Sequence, residues 1–300
     1  MPIDYTSKAE LLLLNQLRCS DLFNNNFRNM HSSMQRIIEF DGFSYTLQLN
    51  PARIKSAAAD TSKPLDSSKC FLCKDNLLEN QIIEEFNSEF YISVNPFPIG
   101  ENHFTIISKN HINQGIMDMV ELYIESSMML PNYCVFYNGP HCGASAPFHR
   151  HFQACKADCY PLYNQIESLK RYTTKKDEFV DTIIYKIDDT TRNFILIETS
   201  NQTSATHYLN TILSDLSIKY NESEPEVNIG STYRNGYFSI TIFPRAKHRP
   251  EEFYKDEEHR ILCSPGYADL AGLMPICLVR NFETISQDNI RSIMKQVLRN

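Results

Sequence analysis

The sequence predicts an α+β fold, and three observations carry that prediction. Segments with period-2 alternation and segments with helical periodicity recur in both halves of the chain. Arg234-Asn235-Gly236, set between two apolar runs, is a hairpin signal. No apolar run is long enough to span a bilayer.

The elements follow in order. Residues 5–40 read as a helical region with polar interruptions. Phe40 to Asn50 alternates, with Phe43, Tyr45, Leu47 and Leu49 on one face, which predicts a strand. Residues 50–56 read as a loop, and Ala57 to Ser68 as weakly structured. Glu89 to Val94 and His103 to Ser108 are predicted strands around Asn95-Pro96-Phe97-Pro98, whose prolines oppose regular structure. Gln114 to Met129 is a predicted helix. Val135 to Tyr137 and Phe148 to Ala154 are strands flanking a glycine-bearing loop. A second series begins near residue 160: a helix over 166–172, strands over 182–187 and 193–199, and an amphipathic helix over 204–220. Strands over 226–229 and 237–243 come next, and Ser286 caps a last helix to Leu298.

With 42% hydrophobic and 22% charged residues the chain is globular, and 300 residues suit one large domain or two of ordinary size. A net charge of −7 provides no basic field for nucleic acid, so small-molecule partners are favoured. Leu11 to Leu14 is short and lies among Lys8, Glu10 and Arg18, which fits an amphipathic helix and not a signal peptide. The expected location is cytoplasmic, with no membrane partner. Nine cysteines are an odd number for a secreted disulfide framework, so reduced thiols and a metal site are expected.

His149-Arg150-His151-Phe152-Gln153 carries the chemistry. On a strand, positions 149, 151 and 153 share a face, spaced by roughly 6.6–7 Å from a rise of about 3.3 Å per residue. Two imidazoles and a neutral amide then stand in a row. The lead-in Tyr137-Asn138-Gly139-Pro140-His141-Cys142-Gly143-Ala144-Ser145-Ala146-Pro147 is rich in small residues, which lets backbone N–H groups approach a phosphate. A plain pair of histidines in a polar strand would need only local hydrogen bonds.

The stretch resembles the histidine-triad superfamily in its transferase branch, where glutamine replaces the third histidine. That branch holds galactose-phosphate uridylyltransferase, diadenosine tetraphosphate phosphorylase and the GDP-hexose phosphorylases. The resemblance implies two histidine-triad-like halves in one chain, each an antiparallel sheet flanked by helices. The implied division is a helical region over 1–40, a catalytic half over 41–160 and a second half over 161–300. It also implies that His151 attacks an α-phosphate to give a nucleotidyl-histidine.

Cys70-Phe71-Leu72-Cys73 is a Cys-x-x-Cys knuckle, and a tetrahedral zinc needs two more ligands. A redox pair would need a thioredoxin-like context, which is absent. His111 and His149 are candidates, with His103 as a rival to His111. The set Cys70, Cys73, His111 and His149 resembles that of zinc-binding histidine-triad proteins, although Ser108 stands where those have proline. A structural Zn2+ holding His149 would brace the strand that carries His151.

Charge that develops on phosphoryl oxygens needs fixed donors. Ser145, the N–H groups around Gly143 and Ala144, and the Gln153 amide are candidates, and Asn138 could orient the nucleophile or bind ribose. The segment between Gly143 and His149 is one residue longer than in most relatives, which bears on Ser145. Arg245, Lys247 and Arg249 cluster after a strand, and Arg53 and Lys55 after Asn50-Pro51. From charge alone the first is a solvated loop; the second lies near the presumed site, with Arg53 a candidate phosphate ligand. The order of Asn228-Ile229-Gly230, the hairpin turn, the basic end and the Ser264 to Gly272 segment is similar to the C-terminal part of the GDP-hexose phosphorylases. On that likeness Arg245 and Lys247 hold phosphate. Asn50 to Arg53, Asn95 to Pro98 and Gly143 to Pro147 together also resemble an uncharacterised bacterial group of the superfamily.

The resemblance therefore implies a phosphorylase-type nucleotidyltransferase, monomer or homodimer. It would act on a nucleoside diphosphate sugar or dinucleoside polyphosphate, with phosphate or a sugar phosphate as acceptor. The glutamine points away from water as acceptor, because an amide cannot act as a general acid. A hydrolase of the same chemistry and an inactive nucleotide-binding protein are the alternatives. A zinc-knuckle nucleic-acid binder is disfavoured by the acidic balance and by the absence of tryptophan.

Overall fold

The computed structural model describes residues 3–58 and 68–299. The chain begins with α1 (Thr6–Cys19) and α2 (Asp21–His31), then the hairpin β1 (Gln35–Glu39) and β2 (Ser44–Leu49), then the short α3 (Ile54–Ala57). Next come β3 (Ile83–Glu85), β4 (Phe90–Val94), β5 (Phe104–Ser108), α4 (Val120–Met129), β6 (Tyr133–Asn138) and β7 (His151–Lys156). The second series is α5 (Pro161–Leu169), β8 (Thr173–Glu178), β9 (Thr182–Asp188), β10 (Asn193–Thr199), α6 (Gln202–Tyr220), β11 (Val227–Arg234) and β12 (Tyr237–Pro244). It closes with α7 (Tyr267–Leu270), β13 (Leu273–Ile276), α8 (Val279–Thr284) and α9 (Gln287–Val297).

Ten strands form one sheet in the order β3-β4-β5-β7-β6-β11-β12-β10-β9-β8. Neighbours in it run antiparallel. The fold is therefore α+β with an antiparallel sheet flanked by helices, as expected. The large sheet is continuous through β6 and β11, which pair directly, with Asn228 opposite Asn138. A second, three-stranded sheet in the order β1-β2-β13 also joins the chain's two ends, since β13 runs parallel to β2.

Several elements differ from the sequence reading, each for a local reason. β1 lies inside the region read as helical, because Phe40 to Gly42 turn the chain back into a hairpin on β2. The helix expected from Gln114 starts only at Val120, since Gln114 is drawn off to brace a neighbouring strand. β8, Thr-Thr-Lys-Lys-Asp-Glu, has no apolar face and was not readable as a strand; it is an edge strand, where charge is tolerated. Residues 59–67 of the weakly structured segment lie outside the described residues.

Alternation along the central strands divides the core. In β6, Cys134 and Phe136 face one cluster, while Tyr133, Val135 and Tyr137 face the other. The first cluster is covered by the small sheet and by α5, α7 and α9; the second by α1, α4 and α6. Arg192 ties the small sheet to the large one. It is fully buried, its Nη2 lies 2.6 Å from Asp189, its Nη1 donates to the Leu270 carbonyl, and its guanidinium stacks on Phe43 and Tyr45. Gly230 on β11 is obligatory, because a Cβ there would meet the Tyr267 ring at 1.9 Å.

Candidate active site and metal centre

A cavity of about 320 Å³ opens on the small-sheet side of the large sheet. Its floor is Thr105 and Ile107 of β5, Phe136 and Asn138 of β6, and His151 and Gln153 of β7. Strand alternation puts these residues on one face: Gln153 stands opposite Thr105 and Phe136, and His151 opposite Ile107. One correction follows. β7 begins at His151, so His149 is not a third member of the row. His149 precedes the strand and turns the other way, into the Cys-x-x-Cys knuckle.

The His151 imidazole is held in one tautomer. Its Nδ1 donates to the backbone carbonyl of His149 at 2.8 Å, so Nε2 keeps the lone pair. Burial lowers its pKa from 6.5 to about 4, which keeps the ring neutral at physiological pH. The backbone of His151 is pinned on both sides by Gln114. The Gln114 Oε1 accepts from the His151 N–H at 2.8 Å, and its amide donates to the carbonyls of His151 and Asn138, each at 3.0 Å. Gln114 was not singled out in the sequence, where it looked like the first residue of a helix.

The loop between β6 and β7 closes one side of the cavity, which Gly143, Ala144 and Ser145 line. Gly143 has φ +84°, and a Cβ would lie 2.6 Å from the Pro265 carbonyl, so only glycine fits. Asn138 is a hub rather than a free ligand: its Oδ1 accepts from Asn228 at 2.6 Å and from the Tyr267 N–H at 2.7 Å. Gln153 Oε1 is bonded to His103 Nε2 at 3.0 Å. Arg53 reaches the cavity, donates to the Phe97 carbonyl and lies near Asp269. Asp269 also lines the cavity, and burial pushes its carboxyl up to about 6.

Arg245 and Lys247 do not take the places expected of them. Arg245 is 1% exposed, and its donors are spent on Asn228 Oδ1 and on the carbonyls of Pro265, Lys247, His248 and Val297. It is an internal brace, since a guanidinium buried this deeply needs every acceptor it has. Lys247 points to solvent, 3.5 Å from Glu251. The same basic segment supplies the cavity wall through His248 and Arg249 instead.

Cys70, Cys73, His111 and His149 converge behind the cavity, with one ligand atom from each lying within 4.8 Å of the others. Cys70 Sγ is 3.3 Å and Cys73 Sγ 3.6 Å from His149 Nδ1, and Cys73 Sγ is 3.2 Å from His111 Nδ1. A tetrahedral zinc with bonds of about 2.3 Å to sulfur and about 2.0–2.1 Å to nitrogen sets its ligands about 3.5 Å apart. The four residues fit that demand. His149 Nε2 donates to the Ser108 carbonyl at 2.9 Å, which leaves Nδ1 as the ligand atom. His103 lies away from this cluster, on Gln153, so of the two candidates it is His111 that stands with the other three residues. All nine cysteines are free thiols.

Among the described residues no helix is long and apolar enough to cross a membrane. Residues 12–156 match a family described as a domain of unknown function, DUF4922. No curated protein matches the chain. Among solved structures, yeast Ap4A phosphorylase Apa2 in complex with AMP aligns with a TM-score of 0.62 at 13% identity, covering 99% of this chain and 98% of that one. The same yeast enzyme in complex with Ap4A aligns with a TM-score of 0.60 at 13% identity, covering 95% and 97%. Over nearly its whole length the chain therefore shares the fold of that yeast enzyme.

Proposed function

We propose that the protein is a phosphorylase-type nucleotidyltransferase working through a covalent nucleotidyl-His151 intermediate. The observation that carries this reading is the bond from His151 Nδ1 to the His149 carbonyl, which leaves a neutral imidazole with its lone pair on Nε2 at the wall of the cavity.

The donor is a nucleoside diphosphate sugar or a dinucleoside polyphosphate. Nε2 attacks the α-phosphorus, the P–N bond forms, and the P–O bond to the leaving sugar phosphate or nucleotide breaks with its electron pair. The positive charge on the imidazole is shared with the His149 carbonyl through the Nδ1 proton. In the second step an oxygen of phosphate or of a sugar phosphate attacks the same phosphorus, and the P–N pair returns to Nε2. Backbone donors at Gly143 and Ala144, the Ser145 hydroxyl and the Gln153 amide stabilise the equatorial oxygens. Arg53 supplies positive charge at the cavity wall. Phe71, Leu72, Leu78, Pro96 and Phe97 give the cavity apolar lining that suits a base. A zinc ion on Cys70, Cys73, His111 and His149 would serve structurally, fixing the residue whose carbonyl orients the nucleophile.

The test is intact-protein mass after incubation with a panel of nucleotide-sugars and dinucleoside polyphosphates without phosphate. A gain of one nucleoside monophosphate, lost in His151→Ala, is the expected result. No adduct with any donor, together with no product when phosphate is added, would overturn the reading.

A further inference from the structure

His103 is 1% exposed, sits just before β5 at the edge of the cavity floor, and has no role in the chemistry above. Its two ring nitrogens are both assigned by their partners. The Ile99 backbone N–H, which can only donate, points at Nδ1 from 3.3 Å, so Nδ1 carries the lone pair. Nε2 therefore carries the proton and faces Gln153 at 3.0 Å, where the partner atom is Oε1. The ring is also packed against Phe136, with centroids 6.1 Å apart and planes 31° from parallel.

We propose that His103 is a positioning residue that locks the Gln153 amide in one orientation, so that this position of the motif offers the substrate only N–H donors. The proposal rests on the nucleotidyl-transfer reading for its consequence, though not for the lock itself. An unrestrained glutamine amide can flip and present either oxygen or nitrogen to a ligand. Here the oxygen is engaged by a donor that cannot become an acceptor, because the one lone pair of the ring is already taken by Ile99. The Gln153 NH2 is what remains to face the cavity. Burial, with the nearby Arg53 charge, lowers the His103 pKa to about 3, so the ring does not switch state under working conditions.

The consequence is chemical. A donor-only wall favours the non-bridging phosphoryl oxygens, which accept hydrogen bonds, both in the attack and in the nucleotidyl-His151 intermediate. It offers no acceptor to a water molecule that would lose a proton on attacking the intermediate. Phosphate arrives already ionised and needs no such base. The His103 and Gln153 pair thus biases the second step toward phosphate and against water, and does so from a residue that touches no reacting atom.

Three measurements test it. In wild type, the 15N signals of His103 should report a neutral ring protonated at Nε2 at pH 5; an Nδ1–H tautomer or an imidazolium there overturns the lock. The side-chain amide of Gln153, identified by its loss in Gln153→Leu, should give one pair of proton signals. Those signals should broaden or shift in His103→Leu and return in His103→Gln, which keeps an N–H donor. Unchanged Gln153 signals in a folded His103→Leu also overturn the lock. With diadenosine tetraphosphate as the donor probe, His103→Leu should lower kcat for phosphate-dependent cleavage by about tenfold to a hundredfold, in line with a misplaced contact. It should raise the share of product formed by hydrolysis, leave the donor KM nearly unchanged, and be rescued by His103→Gln. An unchanged phosphate-to-water ratio overturns the bias. If wild type forms no adduct with any nucleotide donor and no product when phosphate is added, the transfer reading fails, and the two spectroscopic results still decide the lock.

Discussion

His151 leans on the backbone of His149: its Nδ1 donates to the His149 carbonyl at 2.8 Å, while the His149 side chain faces the thiols of Cys70 and Cys73. The residue that orients the His151 ring is thus the same residue that belongs to the Cys and His cluster. Any disturbance of the cluster reaches His151 through the His149 residue itself and one hydrogen bond.

Cys73→Ala should therefore reduce bound zinc from one equivalent to none, as read by metal analysis. It should lower the unfolding midpoint and also slow adduct formation at His151. Chelation of wild type should reproduce both effects, and re-addition of zinc should reverse them. If chelation removes the metal while adduct formation continues at the wild-type rate, the cluster does not orient His151.

Gln114→Ala removes three hydrogen bonds at the start of β7, two to His151 and one to Asn138. The side chain touches no substrate on the reading above, so donor binding should change little. A nucleophile displaced by about 1 Å can cost about a hundredfold in rate. Single-turnover adduct formation should therefore slow by about tenfold to a hundredfold with the donor KM nearly constant. A selective rise in KM would mean that Gln114 binds substrate instead.

The parts of this site that were legible in the sequence are those whose residue type and spacing already encode a chemistry. His-x-His-x-Gln and Cys-x-x-Cys are of that kind, and so is the glycine at 143, where the φ of +84° explains the requirement. The failures have a common cause. Arg245 and Arg249 look alike as basic residues of one loop, yet one is buried against five acceptor groups and the other lines the cavity. Charge in a sequence does not say which acceptors will surround it. Gln114 and His103 act through backbone groups of Ile99, Asn138 and His151, and no sequence pattern announces such partners. The continuity of the large sheet rests on the pairing of β6 with β11, which their alternation allows without specifying.

Asp189→Asn should be among the most destabilising single changes. Arg192 and Asp189 are both fully buried, and the pair fixes the contact between the small sheet and the loop before β10. Removing one charge leaves the other without compensation, at a cost of about 3–5 kcal/mol. Denaturant unfolding measures this directly. A loss below about 1 kcal/mol would show that the aromatic faces of Phe43 and Tyr45 suffice to hold the guanidinium.

Acid should destabilise the protein through His103, and the sign can be worked out. Its folded pKa is about 3, depressed mainly by burial and then by Arg53, against 6.5 in an unfolded chain. Above pH 6.5 neither state carries the proton, and its contribution to stability is intact. Between about pH 6.5 and 3 the unfolded chain binds a proton that the folded protein refuses, so stability falls as pH falls. Asp269 works the opposite way: its folded carboxyl is raised to about 6 from 3.8, so its contribution is complete at low pH and is lost as pH rises through 6. The two overlap between pH 3.8 and 6 and partly cancel in wild type. His103→Gln removes one side of the balance and keeps a donor toward Gln153. The wild-type stability should therefore decline relative to this variant by about 1.4 kcal/mol per pH unit on acidification through that window. Parallel pH profiles for the two proteins would mean that His103 takes up its proton in the folded state, and with it the site would lose the neutral imidazole that holds Gln153.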